Sequence, residues 1–225
     1  MVDESVQGHR LRLKARFQKS GFLGFHDYEK IELLLTYTLA RKDVKPIAKR
    51  LMALFGNLAG VLDAPIHELQ QVEGVGEQCA LFLTMLRALE VEHLQSKVIG
   101  RSVFNHPDIV KDHLRLWLQG RRTECFGAIF TDQQHHCLLT EIIFEGTIDR
   151  TAVYPRELLK RALIEDAKGM ILFHNHPGGS TQASEADLEL TRRVVEASAL
   201  LDMRVLDHFI VAGDQVVSFK EKGWF

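Results

Sequence analysis

Gly169-Met170-Ile171-Leu172-Phe173-His174-Asn175-His176-Pro177-Gly178-Gly179-Ser180, followed at a short distance by Ser184-Glu185-Ala186-Asp187, decides how this chain is read. The first five residues are a near-continuous apolar run, which predicts a buried strand. The two histidines fall at its C-terminal end. At positions i and i+2 of an extended backbone their imidazoles lie on one side. Pro177-Gly178-Gly179-Ser180 then predicts a loop. Ser184 and Asp187 stand at N-cap and N3 of a capping box, so a helix should begin there. Asp187, in its first turn, can close on the same point as the histidines. Two neutral nitrogens and one carboxylate are the protein ligands of an open, catalytic zinc site, with a fourth position left for water. A plainer reading stands beside it. A His-x-His pair can end any strand, and Ser184 and Asp187 can do no more than cap the helix.

Bulk properties set the frame. The 225 residues suffice for one large domain or two small ones. A hydrophobic fraction of 46% and a charged fraction of 26% are ordinary for a globular protein. Lys and Arg number 28 against 30 Asp and Glu, so global charge demands no nucleic-acid partner. Cys79, Cys125 and Cys137 are scattered and odd in number. This argues against a disulfide framework and for a reducing cytoplasm. Met1-Val2-Asp3-Glu4 lacks the basic-then-apolar pattern of a signal peptide. No apolar run approaches the ~18–20 residues of a membrane span. The expectation is a cytoplasmic protein with no membrane partner.

The chain changes character near residue 100. Before it, the periodicity is helical: Leu11 to Lys19, Tyr28 to Leu39, Lys45 to Phe55, Asn57 to Leu62, Ile66 to Gln70, and Cys79 to about Leu94. Pro46 suits a first turn, and Gly56-Asn57 a helix end. Between the last two helices lies Val72-Glu73-Gly74-Val75-Gly76-Glu77. A short helix, a Gly-x-Gly turn and a long helix form a helix-hairpin-helix, about 66–92. Glycines let the backbone turn tightly and approach a phosphate, which the next helix N-terminus can bind. Gly74, Val75 and Gly76 are therefore the candidate nucleic-acid contacts. Equally, such a turn can simply join two packed helices, and Glu73 and Glu77 oppose an anion. Arg41, Lys42, Lys45, Lys49 and Arg50 form the best local basic patch, or a solvated helix face.

Residues 1–95 are thus expected to form a helical domain, 96–103 a linker, and 104–225 a second domain. In the latter a helix to about Leu118 precedes two strands, Glu124 to Thr131 and Leu138 to Gly146, joined by a turn at Asp132-Gln133-Gln134. A helix opening at Pro155, the His-x-His strand, the Ser184 helix to about Leu200, and strands near 204–212 and 216–219 complete it. Helices mixed with strands in this order predict an α/β sandwich with a mostly antiparallel or mixed sheet.

His-x-His-Pro-x6-Ser-x2-Asp resembles the metal signature of the JAMM (MPN-type) metal-dependent hydrolases. The longer stretch from Tyr154-Pro155-Arg156-Glu157 through His174-Asn175-His176-Pro177 to Leu206-Asp207-His208-Phe209-Ile210 resembles the bacterial RadC family. So does the N-terminal half, at Asp27-Tyr28-Glu29 to Leu35, Arg41-Lys42-Asp43-Val44-Lys45-Pro46 and Gly74-Val75-Gly76. The resemblance implies a C-terminal JAMM/MPN-like (cytidine-deaminase-like) α/β sandwich after a small all-α domain. It implies Zn²⁺ on His174, His176 and Asp187, and hydrolysis of a peptide or isopeptide amide in a peptide or protein substrate. A general base is also required. Glu124, Glu141, Glu145 and Glu157 are upstream candidates, and Glu124 begins the run that resembles the JAMM Glu-x-x-Gly segment. Glu124 is then the acid/base and Ser184 the donor to the developing oxyanion. Asp207-His208 either supports the ligands or is simply buried at the end of an apolar strand.

A rival reading is a DNA-associated repair or recombination protein that contacts DNA through the helix-hairpin-helix. There the metal site would be structural, or would serve a nuclease. A scaffold is the third class, opposed by the full ligand set. The sequence leaves the substrate and the oligomeric state open.

Overall fold

The computed structural model describes residues 4–40, 42–146 and 153–225. The chain divides into two compact units, Met1–Glu90 and Val91–Phe225. Arg41, one member of the basic patch, lies outside the described residues, as do Met1 to Asp3.

The first unit is helical: α1 (Glu4–Ser20), α2 (Asp27–Thr38), α3 (Lys45–Phe55), α4 (Leu58–Asp63), α5 (Ile66–Leu69) and the start of α6 (Glu77–Val98). Local chemistry sets several of these ends. Pro46 lies in the first turn of α3, and Gly56 closes it at a φ of 84°. Asn57 caps α4 by accepting the Gly60 N–H at 2.8 Å. One apolar core joins α2 to α6 through Ile31, Leu35, Leu51, Val61, Leu69 and Leu83, and Leu13 of α1 packs separately with Phe25 and Leu33. Their burial is the main stabilising term for so small a unit.

The division between the units falls within α6. This corrects the expected linker at 96–103. Ser96 to Val98 are the last turn of α6, and Ile99 and Ser102 form bridges to Cys137 and His136. Val98 and Val103 are buried in the core of the second unit, so the segment is packed rather than free. Polar composition suggested a linker, but two well-spaced valines outweigh it.

The second unit is built on β1 (Cys125–Thr131), β2 (Cys137–Glu145), β3 (Gly169–Asn175), β4 (Arg204–Ala212) and β5 (Gln215–Ser218). Their order is β2-β1-β3-β4-β5. Only β3 and β4 pair in parallel; the other neighbours are antiparallel. The expected mixed α/β sheet is thus present. α9 (Glu185–Ala199) makes the crossover that the parallel pair requires.

Alternation along the strands gives the sheet two apolar faces. Ile129, Ile171, Phe173 and Phe209 pack against Val110, Leu114 and Leu118 of α7 (Pro107–Leu118). Ala128, Phe130, Met170 and Leu172 pack against Leu158 and Ala162 of α8 (Pro155–Ile164) and Val194 of α9. Helices on both faces explain why β1 and β3 are buried along their whole length. A short α10 (Phe219–Lys222) ends the chain; the expected strand to 219 stops at Ser218, whose side chain caps this helix.

Gly127 in β1 shows how close the packing is. A Cβ there would stand 2.5 Å from Cζ of Phe173 and 2.2 Å from the Glu141 carbonyl oxygen. The glycine of the Glu-x-x-Gly run is the space into which the Phe173 ring fits.

Candidate metal centre

His174 is the penultimate residue of β3, and His176 follows the strand end. Asp187 occupies the first turn of α9. Sheet and crossover helix therefore bring together residues that the loop 177–183 separates. One donor atom from each of the three lies within 4.8 Å of the others. His174 Nε2 and His176 Nε2 are 2.9 Å apart. The Asp187 carboxylate oxygens stand 3.4 Å from the first and 3.5 Å from the second. His174 is fully buried and Asp187 nearly so; His176 is only partly covered, which leaves the cluster one side toward solvent.

The outer nitrogens of both rings are occupied. His176 Nδ1 lies 2.7 Å from the Ser180 carbonyl oxygen, which only accepts, so Nδ1 carries the proton. In its neutral form the ring then presents its Nε2 lone pair to the cluster. His174 Nδ1 contacts His208 Nε2 at 2.8 Å. Lone-pair nitrogens and a carboxylate around one point fit a divalent cation with mixed nitrogen and oxygen ligands.

Electrostatics fit the same picture. Burial works against ionisation of Asp187, but the adjacent His174 and His176 rings and the Ser184 hydrogen bond outweigh it and hold the carboxyl well below its usual range. Asp187 in turn raises the His176 pKa, against its burial, and the Glu124 charge adds to the effect. Full burial pushes His208 well below the ordinary histidine value.

Glu124 immediately precedes β1, whose Phe126 is paired with His174. By strand alternation Glu124 and Phe126 share a face with His174 and His176. The near-parallel rings of Phe126 and His174, 6.1 Å apart, agree. The other three candidate bases are engaged elsewhere. Glu141 pairs with Arg161, Glu145 with Arg121 at 3.2 Å, and Glu157 with Arg156 at 3.1 Å.

Ser184 is more constrained than its sequence reading implied. Its hydroxyl donates to Asp187 Oδ2 at 2.7 Å, its N–H donates to the same oxygen at 2.8 Å, and its Oγ accepts the Asp187 N–H at 3.2 Å. The single hydroxyl proton is thus committed to the carboxylate. An oxyanion role would require the side chain to turn away from Asp187.

Three supporting residues escaped the sequence reading or were left open by it. Thr191, one turn along α9 from Asp187, contacts His208 Nδ1 at 2.7 Å. His208, expected to support the ligands or to be simply buried, is fully buried and in contact with His174. Asn175 is the spacer of His-x-His, and nothing in the sequence marks it. The period-4 spacing of Asp187 and Thr191 was visible, but it acquires meaning only with His208 beside it.

Gly74, Val75 and Gly76 belong to the first unit, in the turn between α5 and α6. Gly74 adopts a φ of 95°, which favours glycine. Val75 is buried in the helical core, and its N–H is bound to Val72 O at 2.9 Å. A Cβ on Gly76 would meet nothing within 4 Å, so its backbone is open to approach. Arg50 of α3 donates to the Glu73 carbonyl at 2.9 Å and so brings a guanidinium to the turn. His135 and His136 gather no third ligand among the described residues. His136 instead pairs with Asp132 at 3.1 Å. No helix is long and apolar enough to cross a membrane among the described residues.

The mixed five-stranded sheet, with His-x-His at the end of its third strand and a carboxylate on the crossover helix that follows, lies within a JAB domain. The chain belongs to the RadC family: residues 104–224 match the RadC-like JAB domain. Full-length relatives agree. A UPF0758 protein of Ruegeria pomeroyi is 36% identical over 219 residues, covering 97% of this chain and 98% of the relative. UPF0758 proteins of Methylibium petroleiphilum and Leptothrix cholodnii are each 40% identical over 213 residues, covering 95% of this chain and 96% of each relative. JAB domains are often metal-dependent hydrolases.

Proposed function

We propose that this protein is a zinc-dependent hydrolase that cleaves an amide bond, peptide or isopeptide, in a peptide or protein substrate. One observation carries the reading: His174, His176 and Asp187 turn their donor atoms to a single point at one end of the sheet, within 4.8 Å of one another. These three would hold the ion. When bound, zinc would supply Lewis acidity toward a carbonyl and make water a nucleophile near neutral pH.

The remaining chemistry belongs to the chain. Glu124 accepts the proton lost by the attacking water and returns it to the leaving amine. Its place beside a partly open cluster suits it to both steps. Ser184 first orients Asp187. It can donate to a developing oxyanion only after releasing that carboxylate. Thr123, Cys125 and Asn175 fix the backbone on which Glu124 stands.

The test is metal analysis followed by a substrate screen. Purified chain should hold one zinc per molecule, and His174→Ala should lose it. Glu124→Gln should keep the zinc and the fold while losing amide hydrolysis. A chain that binds no stoichiometric metal under mild conditions, or a Glu124→Gln variant as active as wild type, ends the proposal.

A second reading is supported by the open backbone at Gly76 and by Arg50 at the same turn: the helix-hairpin-helix would hold a DNA phosphate. It predicts salt-dependent duplex binding that Gly76→Asp or Arg50→Glu weakens and His174→Ala does not. Binding indifferent to salt, or to both substitutions, excludes it. The two readings are compatible in one chain.

A further inference from the structure

Behind His174 runs a chain of hydrogen bonds whose direction can be worked out atom by atom. It starts at the main-chain carbonyl of Asp187, which can only accept. Thr191 Oγ1 lies 2.6 Å from that oxygen and spends its one proton there. The same Oγ1 lies 2.7 Å from His208 Nδ1. With its proton already used, the hydroxyl must accept, so His208 Nδ1 is protonated.

His208 is fully buried. Its ring stacks on Phe219 at 4.2 Å and meets the edge of Phe126 at 5.5 Å. Such apolar contacts disfavour a charged ring. A neutral ring protonated at Nδ1 has an acceptor at Nε2. His174 Nδ1, 2.8 Å away, must then be the donor. That leaves the proton of His174 on the outer nitrogen and a lone pair on Nε2, the atom that faces Asp187 and His176.

We infer that Thr191 and His208 are positioning residues that lock His174 in its Nδ1–H tautomer and so aim its Nε2 lone pair into the cluster. The order originates in α9, the helix that also carries the carboxylate. One helix thus places one ligand through its side chain and sets the proton position of another through its backbone. His176 reaches the same tautomer more simply, through the Ser180 carbonyl. Outer partners of this kind change metal affinity about 10–100-fold when removed.

Two measurements test the inference, which rests on the metal reading of the site. The first is zinc affinity by competition with a chromophoric chelator. Thr191→Val is nearly isosteric and removes only the hydroxyl; it should weaken binding about 10–100-fold, whereas Thr191→Ser should keep the wild-type value. His208→Phe should weaken it at least as much, and the Thr191 pair decides the matter if His208→Phe does not fold. The second is a long-range ¹H–¹⁵N spectrum of metal-free protein, taken about two pH units above the ordinary histidine pKa. It should show His174 protonated at Nδ1. Thr191→Val binding zinc as tightly as wild type overturns the inference, and so does a His174 proton on Nε2. The two readings fail separately: a wild-type chain that takes up no zinc sinks the hydrolase, while the metal-free spectrum still decides the tautomer.

Discussion

Asn175 grips the backbone on both sides of Glu124: its Oδ1 accepts the Cys125 N–H at 2.7 Å, and its Nδ2 donates to the Thr123 carbonyl at 3.1 Å. The spacer of the His-x-His pair is therefore a bolt between β3 and the segment that carries the candidate base. Asn175 is itself almost fully buried. Both partners would otherwise need water at the crowded end of the sheet.

Removing the bolt should separate two effects. Asn175→Ala leaves the buried Cys125 N–H without its partner, which costs roughly 1–3 kcal/mol, and releases the Thr123 carbonyl. Zinc binding should survive, because His174 and His176 keep their own partners. Hydrolysis should fall about 100-fold, the order expected when a reacting group is displaced by about 1 Å. Zinc content, thermal unfolding and turnover on one preparation check this. Full activity in a folded Asn175→Ala chain would show that Glu124 does not depend on the bolt.

Ser184→Ala tests whether this residue serves helix and ligand or only the substrate. The substitution removes an N-cap side chain and one of the donors to Asp187, and loss of such a cap costs about 1 kcal/mol. The backbone N–H at 184 still reaches Asp187 Oδ2, so zinc affinity should drop less than in Asp187→Ala. Denaturant unfolding and chelator competition measure the two. Unchanged stability and affinity would return Ser184 to a purely catalytic role.

Elements and ligands were legible in the sequence for different reasons. The apolar run before His174, the Pro177-Gly178-Gly179 loop and the Ser184 box are local signals, and β3 and α9 follow them closely. Only local patterning is needed to see that His174, His176 and Asp187 can converge. The supports were not legible, because each is a contact over long sequence distance. Thr191 and His208 are 17 residues apart, and Asn175 and Cys125 are 50. No spacing rule joins them; the parallel register of β3 with β4 and the antiparallel register with β1 do. The linker was misread because a polar stretch hides Val98 and Val103, whose burial depends on the sheet they pack against. Ser184 was read through its resemblance, while its commitment to Asp187 is a matter of which way one proton points.

Gly127→Ala should be felt across the sheet. The added methyl would meet the Phe173 ring and the Glu141 carbonyl well inside contact distance, and the carbonyl belongs to a paired strand that cannot swing aside. Overpacking of this kind costs about 1–3 kcal/mol. Pairing Gly127→Ala with Phe173→Leu should recover part of the loss by vacating the ring's space. A thermal melt of the single and double variants decides it; no gain in the double variant would place the strain at Glu141 instead.

His113 makes the second unit sensitive to acid. It sits on α7, fully buried and stacked 5.4 Å from Trp117, and neither ring nitrogen has a hydrogen-bond partner among the described residues. Burial pushes its pKa down from 6.5 to about 4. Above pH 6.5 the ring is neutral folded or unfolded and contributes no pH dependence. As pH falls from 6.5 toward 4, the unfolded chain takes up a proton that the folded chain refuses. Stability then drops by about 1.4 kcal/mol per pH unit, or about 3 kcal/mol across the window. Below about 4 the folded ring is protonated too, and this contribution levels off. His113→Leu should abolish this part of the acid loss, and its gain over wild type should grow between pH 6.5 and 4.5. Unfolding free energies of both proteins across that range measure the difference directly. A difference that stays constant with pH would mean that His113 keeps its proton on folding, and that its buried nitrogens have found a partner.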